Sequence, residues 1–293
     1  MRYLFLLILP FWLFATDIKL QVLGSGGPEL DERASASYLV WVDGKARVIV
    51  DFGGGAFLRL GQSKAALEDI DLILLTHFHI DHVVDFAAFV KASYFSNRDK
   101  IVKVFGPSAS RHFPDTKAFL KAQFNSSGVY GYMSDVLDTS SDYISFKPYV
   151  FSNDTDDKLV HINDDDINID LIAVNHGNVP ALAYKVSIDG KSIVFSGDTA
   201  ATTDNLITLA KDADLFVAHH AIPEHARGEA KNLHMVPSRI GEIALKAGVK
   251  KVLLSHRMQR TIGREKESIS LVKRSFKGEI VLAEDLLMIS LSK

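Results

Sequence analysis

The segment Thr76-His77-Phe78-His79-Ile80-Asp81-His82 sets three imidazoles and a carboxylate almost side by side. Imidazole nitrogen and carboxylate oxygen are the donors zinc prefers, with manganese and iron as alternatives. The apolar run Ile70-Asp71-Leu72-Ile73-Leu74-Leu75 comes directly before, so the cluster stands at the end of a predicted buried strand. In extended chain His77 and His79 project to one side, because side chains alternate, and can hold one ion together. Asp81 and His82 follow where the chain turns into a predicted helix, Val83 to Phe95, and can reach a second ion. As a plain interior feature the cluster is costly, since each buried polar group without a partner loses about 1–3 kcal/mol. A metal site is the better reading.

Three later strands end in the same manner. Ile167 to Val174 runs into Asn175-His176-Gly177-Asn178, Lys191 to Phe195 into Ser196-Gly197-Asp198-Thr199, and Val252-Leu253-Leu254 into Ser255-His256. One histidine or aspartate past a strand is ordinary. His176, Asp198 and His256 added to the first cluster make a constellation.

The His-x-His-x-Asp-His pattern at His77 to His82 resembles the signature of the metallo-β-lactamase superfamily, and His176, Asp198 and His256 match its later motifs. The resemblance covers nearly the whole mature chain. It implies an α/β fold, the four-layered αββα sandwich, with two zinc ions at one edge between two sheets. It also implies that His77, His79 and His176 bind the first ion, that Asp81, His82 and His256 bind the second, and that Asp198 bridges them. Two such ions about 3.5–4 Å apart share a hydroxide, bring the pKa of bound water towards 7, and neutralise charge on an attacked ester. β-Lactamases of this superfamily generally carry cysteine or serine where Asp198 stands, and the chain has no cysteine. Aspartate there resembles the phosphodiesterase, ribonuclease Z, arylsulfatase, lactonase and glyoxalase branches.

The order of the second half is similar to the ribonuclease Z-like branch: Gly197-Asp198-Thr199, a strand ending at His219-His220, then His234 before a helix from Ser238 to Ala247, capped by Ser238. The resemblance makes His234 a catalytic candidate, a general acid or oxyanion donor, since imidazole titrates near working pH. Asp81 is the second catalytic candidate, orienting the nucleophile. The chain departs from the ribonuclease pattern at His219-His220, where that family has His-Glu, and at Arg257-Met258-Gln259-Arg260 after the last histidine. His219 or His220 can orient His234; Arg257 and Arg260 can bind an anionic group, because guanidinium matches phosphate and sulfate. His112, His161 and His225 receive no role.

The elements that position these residues are legible along the 293-residue chain. Arg2, the uncharged stretch Tyr3 to Thr16, and Leu13-Phe14-Ala15 read as an export signal over 1–15, too short for a bilayer span of about 20 residues. Periplasmic or secreted placement follows, with no stable membrane insertion after signal removal. The hydrolase domain occupies 16–293. It opens with a strand, Ile18 to Leu23, a turn at Gly24-Ser25-Gly26-Gly27-Pro28, and two strands around Asp43-Gly44, a hairpin signal. The turn and Arg33-Ala34-Ser35 look like the secreted type of arylsulfatase, and Asp51-Phe52-Gly53-Gly54-Gly55 like ribonuclease Z. A helix is predicted over Ala56 to Leu67, and another over Phe113 to Phe124, starting after Pro114. Residues of about 92–160 form a region that covers the substrate, with Phe95, Phe113, Phe124, Tyr130 and Tyr132 available to line a pocket. The aspartates of 154–166 form a solvated hairpin edge, not a calcium loop, for want of the central glycine and closing glutamate.

The function these observations imply is an exported dinuclear-zinc hydrolase that cleaves a phosphodiester or sulfate ester by attack of a metal-bridging hydroxide. A carboxylic ester or lactone hydrolase on the same metals is the alternative. A non-catalytic metal-binding protein is the alternative of another class, opposed by the open, two-metal ligand set. The partner expected is a small anionic ester. With a net charge of −3 and no basic, glycine-rich arm, no nucleic acid is expected. A homodimer stays open.

Overall fold

Strands that alternate their apolar residues between two faces can be covered on both, and this chain does so twice. The computed structural model describes residues 16–291 apart from 99, 141–143, 155 and 157. The export signal expected over 1–15 lies outside the described residues. Strands β1 (Ile18–Gly24), β2 (Ser37–Val42), β3 (Lys45–Val50), β4 (Leu72–Leu74), β5 (Val102–Pro107) and β6 (Phe146–Phe151) form one sheet. Strands β7 (Val160–Asp164), β8 (Ile167–Ala173), β9 (Leu182–Ile188), β10 (Lys191–Phe195), β11 (Leu215–His219), β12 (Lys251–Ser255) and β13 (Glu279–Leu282) form the other. The last strand, β14 (Met288–Ser290), returns to the first sheet and pairs antiparallel with β1. In each sheet one half is antiparallel and the other parallel, β3-β4-β5-β6 and β10-β11-β12-β13.

Period two decides the layers. Val48, Val50, Leu72 and Leu74 face the second sheet and pack with Ile169, Leu171, Tyr184 and Val186 in the central core. Their neighbours Ile49 and Ile73 turn outwards, against helices α1 (Ala56–Ser63), α3 (Phe86–Ser93) and α4 (Thr116–Phe124) through Leu60, Phe86, Phe89, Leu120 and Phe124. The short α2 (Ile80–Val83) precedes α3. Beyond the second sheet, Phe216 and Val252 meet Leu206 of α5 (Asn205–Leu209), Ile240 and Ala244 of α7 (Pro237–Ala247) and Val272 of α8 (Glu265–Ser275). The small α6 (Glu229–Leu233) lies between α5 and α7 in the chain. The result is the expected four-layered αββα sandwich. No helix among the described residues is long and apolar enough to cross a membrane.

Several element expectations need correction. The single helix expected from Val83 to Phe95 is two, α2 and α3, parted at Asp85, whose N–H donates to Phe52 O and whose carboxylate accepts from Phe57 N–H. The helix from Ala56 stops at Ser63, because Lys64 adopts a left-handed φ of 60°. The helix expected to start after Pro114 runs from Thr116 to Phe124, capped by the Asp115 carboxylate on Ala118 N–H. Ser238 does not cap α7; Pro237 opens that helix, and the N–H and hydroxyl of Ser238 both donate to Glu224. In the 92–160 region, β5 and β6 extend the first sheet. The acidic hairpin is present as β7-β8, turning at Asp165.

Candidate metal centre

His77, His176, Asp198, His219 and His256 leave strands β4, β8, β10, β11 and β12 at one end of the sandwich. Parallel register fixes the second group: Phe195 lies beside Val217 and His219 beside Ser255, so Asp198, His219 and His256 emerge together. Hydrogen bonds cross between the two sheets at this edge. Leu182 N–H donates to Thr76 O at 2.9 Å, and the Tyr184 hydroxyl to Leu75 O at 3.0 Å. They seat the His77 segment against the second sheet. Gly53 permits the close approach of α2, since a Cβ there would stand 2.3 Å from Asp81 O.

Asp198 is the hub. Its Oδ2 lies 3.8 Å from His77 Nε2, 3.7 Å from His82 Nε2, 3.8 Å from His176 Nε2 and 3.8 Å from His234 Nδ1. Its Oδ1 lies 3.6 Å from His256 Nε2 and accepts from His219 Nδ1–H at 2.8 Å. His79 Nδ1 stands 3.1 Å from His77 Nε2 and 3.3 Å from His176 Nε2. Asp81 Oδ2 is 3.2 Å from His256 Nε2 and 3.6 Å from His82 Nε2. The structure therefore brings together all seven residues expected to bind metal, and His234 with them. Ligand atoms of His77, His79, His176 and Asp198 lie within 4.8 Å of one another, as do those of His82, Asp198, His219 and His256.

Hydrogen bonds behind the cluster fix which nitrogen faces inwards. His82 Nδ1–H donates to Asp51 Oδ2 at 2.8 Å, and His176 Nδ1–H to Leu233 O at 2.8 Å. Each ring then turns its Nε2 towards Asp198, and His82 Nε2 makes no hydrogen bond although it is buried. Nitrogen and carboxylate donors crowded at 3.6–3.8 Å without hydrogen-bonding one another form a cradle that a divalent cation would fill. The donor set is all nitrogen and oxygen, which suits zinc. The residues fit the metals that the pattern implies.

Electrostatics divide the cluster: against burial, Asp51 raises the His82 imidazole well above its usual range and Asp198 raises that of His256, while the remaining imidazoles are lowered. Burial works to raise Asp198, yet the imidazoles of His256 and His234, the bond from His219 and the closeness of His82 hold it well below the usual carboxylate range. Asp81 falls to about 2: burial opposes, and His82 and His256 outweigh it. Burial pushes His77, His79 and His176 down, keeping them as neutral donors. Burial also takes His234 down to about 4, against the pull of Asp198.

Asp51, Thr76 and Tyr38 carry weight that composition and spacing did not reveal. Asp51 accepts from Thr76 N–H and Oγ1–H at 2.7 Å each, besides His82. An acidic residue closing the strand Ala46 to Val50 was the available signal. His219 orients Asp198, not His234, and its Nε2 meets the Tyr38 hydroxyl at 3.0 Å. His220 is buried with both ring nitrogens unpartnered. Of the aromatic candidates, Phe113 comes near, its ring 5.7 Å from that of His79, while Phe124 is core and Phe95 is exposed.

A profile described as the metallo-beta-lactamase superfamily matches residues 30–238, well over half of the chain, from before the first cluster to beyond His234. The chain belongs to the metallo-β-lactamase superfamily. This member is 23% identical over 323 residues to the ribonuclease Z of Clostridium novyi (strain NT), covering 94% of the chain and 99% of that protein. Among solved structures, the metallo-β-lactamase fold protein YhfI of Bacillus subtilis superposes with a TM-score of 0.73 at 20% identity, covering 94% of this chain and 99% of that one. The short form of human tRNase Z gives 0.70 at 18% identity, over 94% and 100%. At such identities these structures share the fold with this superfamily member.

Proposed function

We propose that this superfamily member, a metal-dependent hydrolase acting on ester bonds, is a dinuclear-zinc phosphodiesterase. His77, His79 and His176 hold one ion, Asp81, His82 and His256 the other, and Asp198 is shared. His219 is left out of the ligand set, because its Nδ1–H is committed to Asp198 and its Nε2 to Tyr38. The observation that carries the reading is the convergence of six imidazoles on one buried carboxylate.

When bound, the ions supply an acidified water and positive charge to offset the negative charge that builds on an attacked phosphate. The chain supplies the rest. Asp51 and the Leu233 carbonyl hold His82 and His176 in the tautomer that presents Nε2. Asp81, anionic because its pKa is about 2, orients the nucleophile. His234 stands beside Asp198 with Nδ1 buried and unpartnered, where it can donate to the leaving oxygen or to the developing oxyanion.

Relatives named ribonuclease Z favour a phosphodiester over a sulfate ester, and they weigh against the expectation that no nucleic acid is bound. Export through residues 1–15 belongs to the same reading; retention of Met1 on the native protein, read by mass spectrometry, would remove it. The deciding assay strips the metal, restores zinc or manganese, and offers nitrophenyl phosphodiester, phosphomonoester, sulfate, carboxylic ester and lactam substrates in parallel. Metal-dependent turnover of the phosphodiester is expected. Turnover confined to carboxylic esters or lactams would leave the fold and overturn the substrate class.

A further inference from the structure

Two arginines follow His256 on one loop, and the structure gives them different surroundings. Arg257 is buried: it donates to the Glu284 carboxylate, to Glu265 at 3.3 Å and to Ala283 O at 2.9 Å. Those bonds clamp the loop to α8 and to the turn after β13, and leave Arg257 unavailable to a substrate. Arg260 is exposed, and among the described residues it forms no ion pair. Its guanidinium rests on Met258 Sδ at 3.3 Å, a weak acceptor. Arg264, one turn further on, has the usual fate of a surface arginine and pairs with Glu267.

The position of Arg260 is defined by what is buried on either side. Met258 is 8% exposed, and Thr261 is fully buried, its N–H and hydroxyl bonded to Met258 O at 2.7 and 2.8 Å. Met258 and His256 lie against the same glycine: a Cβ on Gly27 would stand 3.0 Å from Met258 Cγ and 3.1 Å from His256 Cε1. The guanidinium, resting on Met258, is thereby held on the His256 side of the cluster.

We propose that Arg260 is the substrate-anchoring residue: its guanidinium grips the anionic oxygens of the ester on the His256 side of the centre, and so selects anionic over neutral esters. The proposal rests on the phosphodiester reading of the metal site. The planar fork of arginine suits phosphate oxygens two at a time, whereas lysine offers a point charge. Arg260→Lys should accordingly fall between wild type and Arg260→Ala.

Two measurements on the zinc-loaded protein test it. For bis-nitrophenyl phosphate, Arg260→Ala is expected to raise KM about 10–100-fold with kcat changed only a few-fold, as lost charge-assisted hydrogen bonds require. The loss on neutral nitrophenyl acetate should be at least several-fold smaller, with metal content unchanged. Calorimetric titration of inorganic phosphate should show a parallel loss of affinity, about tenfold or more. Equal losses on both esters, or undiminished phosphate affinity, would overturn the role of Arg260. If the wild type hydrolyses only the neutral ester, the phosphodiester reading falls, and the phosphate titration still decides the anchor.

Discussion

Six imidazoles crowd the buried Asp198 carboxylate, and that shapes three expectations for single residues. Asp198→Ala should abolish turnover and lower metal content below two ions per chain, because the substitution leaves two buried cations without a shared anion. Mass-spectrometric metal analysis beside activity checks it; a fully active two-metal variant would sink the assignment. His234→Ala should keep both ions and lose about 10²–10⁴-fold in kcat, the range for a positioned acid or base. Loss of metal in that variant would make His234 a ligand instead. Asp51→Asn should weaken metal binding about 10–100-fold, since an amide no longer fixes the His82 tautomer as a carboxylate does. Competition with a chromophoric chelator reads the affinity, and an unchanged constant would reduce Asp51 to a partner of Thr76 alone.

The elements differ in how well composition announces them. Every strand that delivers a ligand was legible, because an apolar run ending in histidine or aspartate has both its period and its terminus in local sequence. The αββα layering followed from the family pattern, and the faces from alternation. What escaped depends on contacts distant in the chain. Asp51 meets His82 only because β3 and β4 are neighbours, and Tyr38 meets His219 only because the sheets stack. The break between α2 and α3 is set by Asp85 bonding to Phe52 and Phe57, which periodicity does not register. Pro237 pre-sets the first helical φ of α7, so Ser238 was free to serve Glu224 instead. Gly197, between β10 and Asp198, shows how closely strand end and ligand are linked. Its φ is 55°, and a Cβ would meet Thr76 Cβ at 3.0 Å. Gly197→Ala should cost about 1–2 kcal/mol in backbone strain alone, and more from the contact. Urea unfolding should show that loss, together with lower metal occupancy as Asp198 shifts; wild-type values for both would mean that the turn relaxes freely.

At the scale of the whole molecule the ions would act as a staple. His77, His79, Asp81 and His82 come from the first sheet, and His176, Asp198 and His256 from the second. A ligand that binds the native state but not the unfolded chain stabilises it by RT ln(1 + [L]/Kd), about 2.7 kcal/mol at a hundred times Kd. For a domain of somewhat smaller size each kcal/mol moves Tm by about 2–4 °C, so one ion bound at that excess should contribute on the order of 5–10 °C. Removal with a chelator should lower Tm by at least that much without splitting the transition. The central core spans both sheets, and the bonds Leu182 to Thr76 and Tyr184 to Leu75 still join them at the metal edge. Differential scanning calorimetry on holo, chelated and reloaded protein separates two roles for the centre. A reversible fall in one transition would make it part of the fold's stability. Identical melts would mean that the sandwich is complete without metal and that the ions serve chemistry alone. Asp198→Ala provides the internal control, because its Tm should no longer respond to chelator.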